Sequence, residues 1–361
     1  MTASHPHPPT HPYVVVANDV GVAKHHGSKM VTARLVNELS SRGFAVVTIP
    51  AGENWRDRVD FIHNAAAVVV NGEGTLHHSA PAAQELVALA PYCQARSLPV
   101  FLVNSIWQDN SSTMGRQAKS FTAVFVRESR SQHQLAEAGV TSEVVPDLVL
   151  GWPVADRGGA TRKGVMVTDS VVLSDTRLLA KSAQATGAVF TTLEPPLPKP
   201  LDYTDTPFIR LQADRPTTVS QLWRGVVKSA YRFRGSLYAA LRRRRGQQVE
   251  FSLDDFFAAL TRSELLITGR FHAVCVAMVT ETPFLAPASN SHKIEAMLDD
   301  AGLSHRVISS SVVKEAVLMP PSWTDSEAQA VAGYVGRATR AQRDMFDTIA
   351  RHAHAERNSG S

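Results

Sequence analysis

The chain has only two cysteines in 361 residues, Cys93 and Cys275, both within apolar runs and far apart. A disulfide framework is excluded, and buried free thiols in a reducing compartment are the expectation. Long hydrophobic runs are also missing: no stretch approaches the ~20 apolar residues of a membrane-spanning helix. Residues 1–12, MTASHPHPPTHP, lack the apolar segment of a secretory signal and read as a disordered leader rich in Pro and His. His77 and His78 are adjacent, but no cysteine or aspartate cluster accompanies them. Neighbours in sequence rarely chelate together, so no metal is expected. Aromatic and charged residues make up 7% and 19% of the chain, an ordinary balance for a globular protein long enough to bury two cores.

What is present is an alternation. Short β-branched runs at Val14–Ala17, Ala45–Ile49, Ala65–Val70, Val100–Val103, Thr122–Val126 and Glu143–Pro146 are separated by helical patterns such as Val31, Leu35, Val36 and Leu39. A second series follows at Val165–Val167, Ala188–Thr192, Leu265–Ile267, Pro283–Ala286 and Arg306–Val307. Between them, Gly151–Gly164 holds proline and four glycines and reads as a linker. The pattern predicts α/β architecture: two Rossmann-like, doubly wound domains facing a cleft, the GT-B-like arrangement. The first domain covers 13–150 and the second 165–320, with 151–164 between them. A segment 321–361 then carries an amphipathic helix, Ser326–Ala355, expected to cross back onto the first domain.

In a parallel sheet, residues that directly follow the strands share one edge, and ligands bind there. Asn18, Asn71, Asn104, Arg127 and Asp147 all follow apolar runs directly, and so are expected to line one cleft. The loop Asn18–Ser28 adds Asp19, Lys24 and His25. The loop Asn71-Gly72-Glu73-Gly74-Thr75-Leu76-His77-His78 offers two glycines for close backbone approach, a hydroxyl, and Glu73 as a candidate base. A glutamate facing solvent in a turn is its plainer reading.

The densest signal is Leu265–Ile294. A strand-like run leads into Thr268-Gly269-Arg270-Phe271-His272 and then into the small apolar helix pattern Ala273–Val279. After Pro283–Ala286, Ser289-Asn290-Ser291 reads as a cap for a helix starting near His292. Arg270, His272 and Lys293 bring three cationic groups to two strand-to-helix loops. Helix N-termini offer unpaired N–H groups and positive potential, so this stretch reads as an anion site. A lone Arg or His is usually structural, but an Arg and a His two residues apart in an apolar segment are costly to bury without an anion.

Thr268-Gly269-Arg270-Phe271-His272-Ala273, followed downstream by Ser289-Asn290-Ser291-His292-Lys293, resembles the signature of the polysaccharide pyruvyl transferase family. That signature is commonly Ser/Thr-x-Arg-Leu-His-Ala/Gly with a lysine beyond. A second block, Phe125-Val126-Arg127-Glu128-Ser129, then Leu135, Gly139-Val140 and Val145-Pro146-Asp147, also resembles the family. The two departures are Phe271, where Leu is usual, and Asn71-Gly72-Glu73-Gly74, where three glycines are frequent.

The resemblance implies phosphoenolpyruvate as donor and co-substrate, no cofactor, and a sugar or lipid-linked glycan as acceptor. It implies His272 as general acid, Arg270, Asn290, Ser291 and Lys293 on the donor, and Glu73 as base, with His77 or His78 as the other candidates. Asn18, Asp19, Lys24, His25, Asn71, Gly72, Gly74, Thr75, His77, His78 and Arg127 fall to the acceptor side. The alternatives are a GT-B glycosyltransferase using a nucleotide-activated sugar or keto-sugar, and a non-catalytic glycan- or anion-binding protein.

The insertion at 217–246 holds eight basic and no acidic residues between Arg224 and Arg245, interleaved with aromatics. Such a segment suits an anionic membrane surface, at about 1 kcal/mol per cation. A solvated basic loop is the plainer reading, and nothing else suggests nucleic acid. Localisation is expected to be cytoplasmic, with peripheral contact at the inner face of the membrane.

Overall fold

A computed structural model describes residues 8–9, 11–22, 25–154, 161–194, 208–211, 251–288 and 291–359. The basic stretch 224–245 with its membrane expectation, Lys24, Asn290 and most of the leader lie outside these residues.

The first sheet has seven parallel strands. In chain order they are β1 (Tyr13–Asp19), β2 (Ala45–Pro50), β3 (Ala67–Glu73), β4 (Val100–Ser105), β5 (Ala123–Val126) and β6 (Glu143–Val144). After β7 (Val165–Ser170) and β8 (Val189–Thr191) of the second sheet, β9 (Phe208–Arg210) returns to complete the first, in the order β6-β5-β4-β3-β1-β2-β9. The second sheet is finished by β10 (Leu265–Gly269), β11 (Phe284–Pro287) and β12 (Val307–Ile308), in the order β12-β11-β10-β7-β8. β1 and β3 are buried along their whole length. That is why they read as continuous Val runs rather than alternating ones: both faces of a parallel sheet are covered.

β9 differs from expectation. It lies within the 165–320 stretch assigned by sequence to the second domain, yet it pairs with β2 at Val46↔Phe208 and Thr48↔Arg210. Its anchor is electrostatic: Arg210 Nε donates to Asp19 Oδ2 at 2.6 Å. Three residues are too few to show a period, so the sequence could not assign their sheet.

Both sheets reverse their winding next to a central strand, between β1 and β3 in the first and between β7 and β10 in the second. The crevices at the carboxyl ends of these pairs are where an open parallel sheet offers a site. The first helix, His26–Ser40, leaves β1 at one crevice, and the helix Phe271–Val279 leaves β10 at the other. All nine residues of the latter are buried, and it packs on the turn Leu148–Gly151 and on the final helix.

That final helix runs Asp325–Ser359 and does cross back. Gln342 Nε2 donates to the carbonyl of Asp147 at 2.8 Å, and Arg42 Nε donates to Asp347 at 2.9 Å. Both cysteines are buried and free. Among the described residues, no helix is long and apolar enough to cross a membrane.

Gly72, expected on the acceptor side, has a packing duty between strands. A Cβ there would overlap Ser105 Oγ and Cβ on the neighbouring strand β4. Gly72→Ala should therefore lower stability by about 1–3 kcal/mol through overpacking, read as a shift in denaturant midpoint. Combining it with Ser105→Gly should recover only part of the loss, because the Ser105 Cα would still lie 2.9 Å from the new Cβ. An unaffected midpoint in the single variant would show that the strands part freely here.

Candidate active site

The two crevices face each other, and their loops meet at His272. It is the second residue of the helix Phe271–Val279, it is buried, and its Nε2 has no hydrogen-bond partner among the described residues. Two carboxylates flank that nitrogen: Asp147 Oδ2 at 3.7 Å and Glu73 Oε1 at 3.9 Å. Both come from the first sheet's edge, whereas His272 comes from the second.

Glu73 ends β3 with φ at 41°, in the left-handed region that a side chain adopts only when its surroundings enforce it. Three contacts do so. Ser28 Oγ donates to Oε1 at 2.9 Å, Asn71 Nδ2 to Oε2 at 3.4 Å, and Arg127 Nη2 to the backbone carbonyl at 3.1 Å. Glu73 is thus a held carboxylate in the cleft, not a solvent-facing turn residue.

Asp147 is fully buried. It takes Arg127 Nη1 at 2.9 Å on Oδ2 and the Val149 amide at 2.9 Å on Oδ1. Burial alone would raise its carboxyl. The His272 imidazole and the Arg127 guanidinium outweigh burial and hold it well below the usual carboxylate range.

Arg127, placed by sequence on the acceptor, is only 2% exposed and serves as scaffold. It joins Asp147, the Glu73 backbone and the Phe271 ring, whose centroid lies 4.6 Å from its guanidinium carbon. The departure from Leu at 271 therefore adds a cation–π contact between the halves.

Arg270 sits at the end of β10. Its Nε donates to Asp169 Oδ1 at 3.0 Å, Nη2 to Asp169 Oδ2, and Nη1 to Glu194 Oε1 at 2.8 Å. Burial would lower this guanidinium, but the two carboxylates raise it. Lys293 opens the helix Lys293–Asp300, where burial and then Arg127 push its amine down to about 8. His25, the cap residue of the first helix, accepts from the Ser28 amide at 3.3 Å. Its ring meets that of His272 edge-on at 5.4 Å. Burial, then His272 and Arg270, push it well below the usual imidazole range. The three helices starting at His26, Phe271 and Lys293 all begin at this cluster, so their N-terminal potential makes it electropositive.

Other expected residues lie elsewhere or do something else. Asp19 is buried with four donors: the Gly21 amide, Thr32 Oγ1, Thr48 Oγ1 and Arg210 Nε. It ties β1, β2 and β9 together and has no capacity left for an acceptor. Asn18 and Asn71 bond each other, with Asn18 Nδ2 donating to the Asn71 carbonyl at 2.7 Å. They are scaffold as well. His78 pairs with Asp109 at 3.4 Å, while Gly74, Thr75 and His77 are half-buried in the same loop.

Ser291 does not cap the next helix. His292 does, without a side-chain cap bond, and its Nε2 turns to Glu128 Oε1 at 3.1 Å. Ser291 Oγ is buried without a partner among the described residues. Among those residues, no group of three or more His, Cys, Asp or Glu side chains is placed to hold a metal ion.

The sequence puts Asp147 at the cleft without a role, places Gly27 and Ser28 in the loop after the first strand without a role, and does not single out Asp169 or Glu194. Asp147 could have been found from its position at a strand end, 20 residues after Arg127. Nothing in the sequence marks the others.

A polysaccharide pyruvyl transferase family model matches residues 26–291, most of the chain, and the chain belongs to that family. No curated protein matches in a sequence comparison. Among solved structures, a putative UDP-N-acetylglucosamine 2-epimerase from Listeria monocytogenes aligns with TM-score 0.56 and 10% identity, covering 95% of this chain and 97% of that one. The S. aureus MnaA–UDP co-structure aligns with TM-score 0.52 and 10% identity, covering 93% and 95%. At such identity these likenesses show the fold alone, and the fold is GT-B-like.

The Lys293 amine yields a stability prediction. Between pH 8 and ~10.4, the value of a free lysine, the unfolded chain keeps this proton while the folded chain has lost it. The unfolded state then binds more protons, so stability rises with pH across that window. Lys293→Met should remove this rise, measured as the wild-type minus variant difference in denaturation free energy at both ends. A constant difference would place the amine in an ordinary environment.

Proposed function

We propose that this transferase moves the pyruvyl group of phosphoenolpyruvate onto two hydroxyls of a sugar acceptor, forming a pyruvate ketal and releasing phosphate. The observation that carries the reading is His272 Nε2: buried, unpartnered among the described residues, and 3.7 and 3.9 Å from two carboxylates. It stands where three helix N-termini meet. A proton-transfer group with a bond to spare, in a cleft that attracts anions, suits an anionic donor that must be protonated on carbon.

An imidazolium at His272, with Asp147 as its counter-charge, donates its proton to the terminal methylene carbon. The CH₂ becomes CH₃, and the carbon bearing the phosphate gains positive character. The first sugar hydroxyl forms its C–O bond there and gives its proton to Glu73. The second hydroxyl forms the other C–O bond as the bond to the phosphate oxygen breaks, and its proton leaves with the phosphate. The proton on Glu73 returns to His272, 3.9 Å away, which restores the acid.

On the donor side, Arg270 Nη1 exchanges Glu194, a side chain about half exposed at 51%, for the donor carboxylate. Asp169 keeps the guanidinium plane oriented, which suits two-point binding. Lys293 and the Ser291 hydroxyl take the phosphate. On the acceptor side, His25, Gly74, Thr75 and His77 are the candidates, with His78. An acceptor on a lipid carrier would bring the basic stretch 224–245 to the inner face of the membrane.

The test is product formation from 2-¹³C-labelled phosphoenolpyruvate and a panel of sugars and glycan precursors, with the ketal carbon followed by NMR and phosphate release by coupled assay. His272→Ala should lower turnover ~10²–10⁴-fold, the usual contribution of general acid–base catalysis, while donor binding stays near wild type. A variant keeping more than about a third of the wild-type rate would exclude His272 as the acid, because that loss is far below the usual contribution.

A further inference from the structure

Three contacts from the cap and first turn of one helix converge on the acid–base pair. Ser28 Oγ holds Glu73 Oε1 at 2.9 Å. The His25 ring lies edge-on to the His272 ring at 5.4 Å. Gly27 lies so close to His272 that a Cβ on it would overlap the ring at Cγ and Nδ1 and the side-chain Cβ. Gly27 is the second residue of the helix, and the absence of a side chain there serves the packing of the imidazole.

The same turn is fastened to the other half of the molecule. The His26 amide donates to the Leu193 carbonyl at 3.0 Å, and His26 Nε2 lies 3.0 Å from the Phe251 carbonyl. The start of the first helix therefore has a fixed place relative to both the carboxylate of one sheet and the imidazole of the other.

We propose that Gly27 and Ser28 are positioning residues for the proton-transfer pair: Ser28 aims the Glu73 carboxylate, and Gly27 leaves the space that the His272 ring fills. This rests on the functional reading above. Neither residue touches the reacting atoms. They act by setting the separation of Glu73 and His272 across the domain boundary, where small displacements are costly because proton transfer needs hydrogen-bond reach.

Turnover of phosphoenolpyruvate tests Ser28 first. Ser28→Ala should lower kcat roughly ten- to a hundredfold, the range for a lost hydrogen bond to a charged group, with donor KM near wild type. Ser28→Thr, which keeps the hydroxyl, should restore most of that rate. Val36→Ala, a cavity elsewhere in the same helix, should lower the melting temperature and leave kcat alone. Wild-type kcat in Ser28→Ala, a loss that threonine does not restore, or an equal loss in Val36→Ala would each overturn the proposal.

A ligand-free readout separates this inference from the reaction. In ¹³C-histidine-labelled protein, with the His272 signals assigned by His272→Gln, Gly27→Ala should move the His272 ring resonances, and Val36→Ala should not. Should Gly27→Ala fail to fold, Ser28→Ala gives the same readout by releasing Glu73 beside the ring. Moved resonances in a protein that does not turn over phosphoenolpyruvate would defeat the functional reading and sustain the positioning role. Unmoved resonances would overturn the positioning role.

Discussion

The site depends on one buried ion pair. Arg127 and Asp147 are both almost wholly inaccessible, 2.9 Å apart, and each is tied to the next element of the cleft. Arg127 reaches the Glu73 carbonyl and the Phe271 face, while Asp147 stands beside His272. A buried pair of this kind is a weak source of net stability, since desolvation offsets most of the attraction. Removing one partner is a different matter, because it strands a charge where water cannot reach it. The pair therefore fixes geometry more than it adds free energy, and what it fixes is the distance between two carboxylates and one imidazole.

That geometry exists only while the two halves are together. Glu73, Asp147, His25 and Ser28 come from the first sheet and its helix, whereas His272, Arg270 and Lys293 come from the second. Polar contacts lock the boundary: Ser129 holds Asp300 through its amide at 2.8 Å and hydroxyl at 2.5 Å, Arg130 pairs with Asp299, and His292 meets Glu128. The final helix adds a strap from the far side through Gln342. Exposed pairs such as Arg130–Asp299 contribute little each, so the boundary is held chiefly by the apolar helix Phe271–Val279 between the layers. Cations and helix N-termini from both halves then share one small volume, which an anionic ligand would stabilise.

Much of this was legible in the sequence, because strand ends are. Runs of Val and Ile placed Asn18, Asn71, Arg127 and Asp147 on a common edge, and the alternation with helical patterns gave two doubly wound sheets. The pattern Thr268–His272 carried the resemblance to the family that the chain belongs to. What periodicity cannot give is which polar side chains at that edge face the cleft and which face each other. Asn71 sits two positions from Glu73, and Asp19 ends β1 at the same edge, yet their hydrogen bonds are taken up by Thr32, Thr48, Arg210 and Asn18. Gly72, a glycine expected for ligand approach, also packs tightly against Ser105 of the neighbouring strand. Long-range partners also decide the place of β9, three residues held by pairing with β2 and by the salt bridge from Arg210 to Asp19 rather than marked by any pattern of their own.

On the proposed reading, the cleft in which Arg270 and Lys293 stand beside His272 takes an enol phosphate rather than a nucleotide sugar. Calorimetric titration of the ligand-free protein with phosphoenolpyruvate, and separately with UDP-N-acetylglucosamine, addresses it directly. Saturable binding of phosphoenolpyruvate is expected, weakened markedly in Arg270→Lys because an ammonium cannot reproduce the planar two-point contact. Saturable binding of the nucleotide sugar with no heat from phosphoenolpyruvate, or phosphoenolpyruvate affinity unchanged in Arg270→Lys, would contradict it.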